Sequence, residues 1–82
     1  MAYYAVQSDL RSEEILGLAE AYFGPGGLGL DAARPNPHHL YLAGEEGHVS
    51  VMAGPGGMKT AVDVETRALD PQVREFLRQI AG

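Results

Sequence analysis

The chain has 82 residues, 11 acidic and six basic, a formal net charge of −5, 45% hydrophobic residues and no cysteine. The missing thiols exclude disulfides, thiolate metal sites and a cysteine nucleophile, and the acidic balance disfavours phosphate backbones and anionic lipid surfaces. Apolar content at the globular average predicts one folded α+β domain over residues 1–82, of a size that buries roughly 60% of its unfolded surface.

No stretch approaches the ~20 apolar residues of a membrane helix, so no membrane partner is expected. Met1 to Asp9 lack the basic and apolar regions of a secretory signal, which predicts a cytoplasmic protein beginning at Met1 or Ala2. Five of the six basic residues are arginine, and the abundance of Ala, Gly, Leu and Pro points to a GC-rich, bacterial coding sequence.

Tyr3 to Gln7 group aromatic and β-branched residues before Ser8-Asp9 and predict a short first strand. From Ser12 the period becomes helical, with Ile15, Leu18, Ala19, Tyr22 and Phe23 on one stripe, Ser12 as the N-cap and Gly24-Pro25 as the stop. Residues 24–37 hold four glycines and three prolines and read as a long irregular loop. Leu28 and Leu30 are its expected anchors, with a single helical turn from Leu30 to Arg34.

His39 to Ala43, His48 to Met52 and Lys59 to Glu65 alternate as three strands of a meander. Their turns are placed at Gly44-Glu45-Glu46-Gly47 and Gly54-Pro55-Gly56-Gly57. Asp70 as N-cap and Pro71 at the first helical position open a last helix with Val73, Phe76, Leu77 and Ile80 inward. The fold expected is therefore α+β, in the order β-α-β-β-β-α, an antiparallel meander sheet with two helices packed on one face.

That arrangement leaves one sheet face without a helix, and the alternation assigns to it Tyr3, His39, Tyr41, His48, Ser50 and Met52. The expected register pairs Ala43 with His48, Tyr41 with Ser50 and His39 with Met52. Across the second turn it sets His48 opposite Asp63, Ser50 opposite Ala61 and Met52 opposite Lys59.

These residues admit several chemistries. A metal site on His38, His39 and His48 fails on distance, since His39 and His48 lie four residues apart along the sheet, roughly 13 Å, so no metal or cofactor is expected. A His48-Asp63 pair beside Ser50 resembles a general base with its orienting carboxylate, under the 24–37 loop as a lid. A cross-strand surface pair explains the same residues.

Gly24-Pro25-Gly26-Gly27-Leu28-Gly29 satisfies the G-x-G-x-x-G pattern, with Lys59 and Arg34 as phosphate partners, although it follows a helix instead of a strand. From Ser12 onward the element order resembles that of double-stranded RNA-binding domains and of small toxin ribonucleases, with His38 or His39 available for catalysis. The basic residues such domains need are reduced to Arg74 and Arg78, so nucleic acid is not the expected partner. The leading expectation is a non-enzymatic domain that self-associates as a homodimer, or docks a protein partner, through Tyr3, His39, Tyr41, His48, Ser50 and Met52. The alternative is a small-ligand binder or weak hydrolase on His48, Asp63 and Ser50.

Overall fold

A computed structural model describes residues 1–81. The elements are β1 (Ala2–Ser8), α1 (Ser12–Phe23), β2 (Asp31–Asn36), β3 (His39–Ala43), β4 (His48–Gly56), β5 (Lys59–Arg67) and α2 (Asp70–Ile80). The strands form one antiparallel sheet in the order β1-β5-β4-β3-β2. The α+β class is as expected, and so is the placement of both helices on one face.

The pleat sorts the side chains. Leu40, Val51, Val64 and Tyr4 form one cross-strand row facing the helices, Leu42, Val49, Thr66 and Ala2 a second, and Ala53, Val62 and Val6 a third. Against them α1 buries Ile15, Leu16, Ala19 and Phe23, while α2 buries Val73, Phe76, Leu77 and Ile80. The helices meet where the Phe23 and Phe76 rings pack edge to face with centroids 5.4 Å apart. Leu16 takes the core position expected of Leu18, which is 48% exposed.

Residues 24–37 differ most from expectation. The amides of Gly27, Leu28, Gly29 and Leu30 donate to the carbonyls of Gly24, Tyr22, Gly24 and Phe23, wrapping the C-terminus of α1. A Cβ on Gly27 would stand 2.1 Å from the Tyr22 carbonyl oxygen, so the approach requires glycine. Leu30 then enters the core and Leu28 stays outside.

In place of a helical turn from Leu30 to Arg34, Asp31–Asn36 forms an edge strand paired with β3 and broken by a bulge between Ala33 and Asn36. All six of its residues are exposed and none is β-branched, so pairing and not propensity makes it a strand. The Asn36 carboxamide accepts from the His38 amide at 2.9 Å, closing the turn into β3.

The β3–β4 register is the expected one, including Ala43–His48, Tyr41–Ser50 and His39–Met52. The β4–β5 register is displaced by four residues, so that His48 faces Arg67, Ser50 faces Glu65 and Met52 faces Asp63. The cause is the turn, which lies at Gly57-Met58 instead of Gly54 to Gly57. Gly57 has φ +85°, the positive value a two-residue hairpin turn needs at its first central position. Pro55 can remain inside β4 because β3 has already ended beside it, leaving no ladder bond for its missing N–H to break.

Two caps also differ. Arg11 and not Ser12 is the N-cap of α1, its amide donating to the Glu14 carboxylate at 3.3 Å. Asp70 lies inside α2, whose N-cap is Leu69, and its carboxylate accepts a 2.8 Å bond from the Tyr4 hydroxyl.

A buried serine ties the chain ends together. The Ser8 hydroxyl donates to the Ile80 carbonyl and accepts from the Leu10 amide at 3.1 Å. Ser8→Ala should cost about 1–3 kcal/mol in urea denaturation, because both partners lose their bond in a buried place. Ser12→Ala, at a position that caps nothing, should change stability by less than about 0.5 kcal/mol in the same experiment.

Candidate functional site

The face away from the helices carries every residue assigned to it from the alternation. Its rows run Ala43, His48 and Arg67, then Tyr41, Ser50, Glu65 and Tyr3, then His39, Met52, Asp63 and Ala5. Three large side chains project from it, with Tyr3 79%, Met52 50% and Tyr41 38% exposed. Small residues surround them, Ala5, Ala33, Ala43, Gly54 and Ala61.

The polar groups are linked diagonally, each to a neighbour one step along the adjoining strand. The His39 Nε2 lies 2.7 Å from the Ser50 hydroxyl. The Tyr41 ring stacks on the His48 imidazole at a centroid distance of 5.7 Å and an angle of 27°. The His48 Nε2 lies 3.0 Å from Glu65 Oε2, with the two side chains 13% and 22% exposed. Glu65 in turn is directly opposite Tyr3. The stripe Tyr41, His48, Glu65, Tyr3 therefore crosses four strands.

The expected His48-Asp63 pair does not form, since the shifted register gives His48 to Glu65 and sets Asp63 beside Met52. Sequence reasoning missed Glu65, whose alternation placed it on this face but opposite no assigned partner. Ser50 does meet an imidazole, that of His39. It sits in the middle of β4, however, with β3 on one side and β5 on the other, so the surrounding amides are spent on the ladder. A serine nucleophile needs N–H donors aimed at a developing oxyanion, and this position offers none.

Residues 24–37 are no lid for this face. Their first half bonds to the end of α1, on the helical side, and their second half extends the sheet in its own plane. The depression that does open here is lined by His38, Met52, Ala53, Gly54, Pro55, Ala61 and Asp63 and holds about 180 Å³. Small-molecule sites begin at ~300 Å³. A second depression of about 370 Å³ lies at the corner of α1, β2 and the β3–β4 turn, lined by Leu28 to Asp31 and Gly44 to Glu46.

The phosphate-loop reading fails on direction. The amides of Gly27 to Leu30 are spent on the carbonyls of Tyr22, Phe23 and Gly24, and the run sits at the negative end of the α1 dipole. Arg34 lies 3.9 Å from Glu20, and Lys59 lies 3.6 Å from Asp9.

The three histidines are each engaged separately, His38 with the Ala53 carbonyl at 3.1 Å, His39 with Ser50 and His48 with Glu65. Among the described residues no group of three His, Asp or Glu side chains is placed to hold a metal ion. Nor is any helix long and apolar enough to cross a membrane.

The likeness in element order to RNA-binding domains also lapses, because four strands and not three separate the helices. Arg74 donates to the Tyr4 hydroxyl at 3.3 Å and Arg78 to Glu75, so the basic pair is anchored within the domain.

No protein-family model matches the chain, and no match was found among curated proteins or solved structures.

The diagonal His48–Glu65 contact should behave as a partly exposed surface pair. A double-mutant cycle with His48→Gln and Glu65→Gln, read by urea denaturation, should give a coupling of about 0.2–1 kcal/mol. A coupling above about 3 kcal/mol would indicate a desolvated pair and contradict this reading.

Proposed function

We propose that this chain is a non-catalytic, protein-interaction domain that binds a second copy of itself through the helix-free face of its sheet. The observation that carries this reading is the projection of Tyr3, Tyr41 and Met52 from a face that no other described element covers. Tyr and Met are the side chains that interfaces concentrate.

Charge favours a second copy over a partner of one sign. Asp31, Asp63 and Glu65 share the face with Lys59 and Arg67, so two copies can meet without a uniform repulsion even though each carries a net charge of −5. Five strands spaced ~4.8 Å and about seven residues long at ~3.3 Å each present roughly 550 Å² of plane. Once the relief of the side chains is added, that approaches the ~800 Å² per partner of a standard interface. A domain this small also gains proportionally more from burial between subunits than a large one does.

Tyr41→Lys should halve the mass of the assembly in native mass spectrometry while the far-ultraviolet circular dichroism stays unchanged, since the residue touches the outer face alone. An unchanged mass would contradict the assignment of this face.

A further inference from the structure

The two edges of the sheet are built differently. β2, at one edge, carries Asp31, Arg34 and Pro35 and is interrupted by a bulge. Charges, proline and bulges are the means by which sheet proteins prevent a further strand from adding. β1, at the other edge, reads Ala-Tyr-Tyr-Ala-Val-Gln-Ser, without charge, proline or glycine, and pairs with β5 at all seven positions without a break. In an antiparallel strand with one neighbour, alternate residues direct their N–H and C=O groups away from it. β1 thus offers an open, regular ladder where β2 offers none.

We infer that β1 pairs antiparallel with β1 of a second copy about a two-fold axis, joining two sheets into one of ten strands. A pairing centred on Ala5 sets Tyr3 opposite Gln7 of the second copy and Tyr4 opposite its Val6. Tyr4 and Val6 are only partly buried against the core, at its margin. The pairing extends the apolar layer across the seam and completes their burial, while the Tyr4 hydroxyl stays bonded to Asp70.

A second copy fits better than a foreign peptide. Strand addition of peptides draws its specificity from pockets for alternate side chains. Neither depression described above is lined by a residue of β1. An uncharged strand pairing with its own copy needs no pocket, because register and twist match by symmetry.

The edge lies in the plane of the sheet and the proposed docking face is normal to it, so the inference does not rest on that face, and both surfaces can be occupied at once. The test is amide hydrogen exchange on the unmodified full chain, resolved by residue in NMR at millimolar concentration. Stacking of faces leaves the outward amides of β1 open, so this readout is independent of it.

The edge pairing predicts that all amides of residues 2–8, the outward alternates included, exchange at least tenfold slower than those of an open strand. Outward alternates that exchange at the open-strand rate would overturn the inference. With both surfaces occupied the unmodified chain forms a four-chain assembly in native mass spectrometry, and Tyr41→Lys should halve it to a dimer held through β1. A halving from dimer to monomer would support the face and contradict the edge, and an unchanged dimer would support the edge and contradict the face.

Discussion

Everything in this domain depends on the phase of the pleat along β4 and β5, the two nine-residue strands at the centre of the sheet. Their pairing sets Val49, Val51 and Ala53 against Thr66, Val64 and Val62, and so fixes which side can accept helices. A slip of one residue between them would turn the inward set of one strand, either Val49, Val51 and Ala53 or Thr66, Val64 and Val62, toward solvent and forfeit about 1.5–3 kcal/mol for each valine so exposed. With that phase fixed, α1 covers β3 and β4, α2 covers β5 and β1, and the aromatic contact of Phe23 with Phe76 closes the layer between them.

The same phase decides what the opposite face can do. Its polar side chains are satisfied by one another along diagonals, His39 with Ser50 and His48 with Glu65. Groups paired in this way hold their neighbours in place and leave the tyrosines and Met52 as the parts that project, which is the feature the proposed interface uses. Tyr41 in particular is held by its stacking on His48, which reduces the rotamer entropy that an interface contact must overcome.

How much of this was legible in the sequence follows from which signals are periodic. The assignment of residues to faces survived an error of four residues in the β4–β5 register, because four is even and the pleat repeats every two. The error arose from Gly54-Pro55-Gly56-Gly57, where turn residues are dense but the turn begins only at Gly57, and it cost the His48–Asp63 pairing.

β2 was illegible for a different reason. Asp31 to Asn36 have no strand propensity, and the neighbouring strand β3 alone makes them extended. At Ser12 and Asp70 the residue types were right for caps, yet Glu14 serves the amide of Arg11 and the Asp70 carboxylate serves Tyr4, contacts that only the tertiary structure could supply.

The central claim, that a second copy covers the helix-free face, is tested most directly by mixing isotope-labelled and unlabelled chains and recording intermolecular nuclear Overhauser effects. The account predicts cross-peaks between copies at the Tyr41 ring and the Met52 methyl group. Their absence at millimolar concentration, with Met52 showing contacts within its own chain alone, would contradict it.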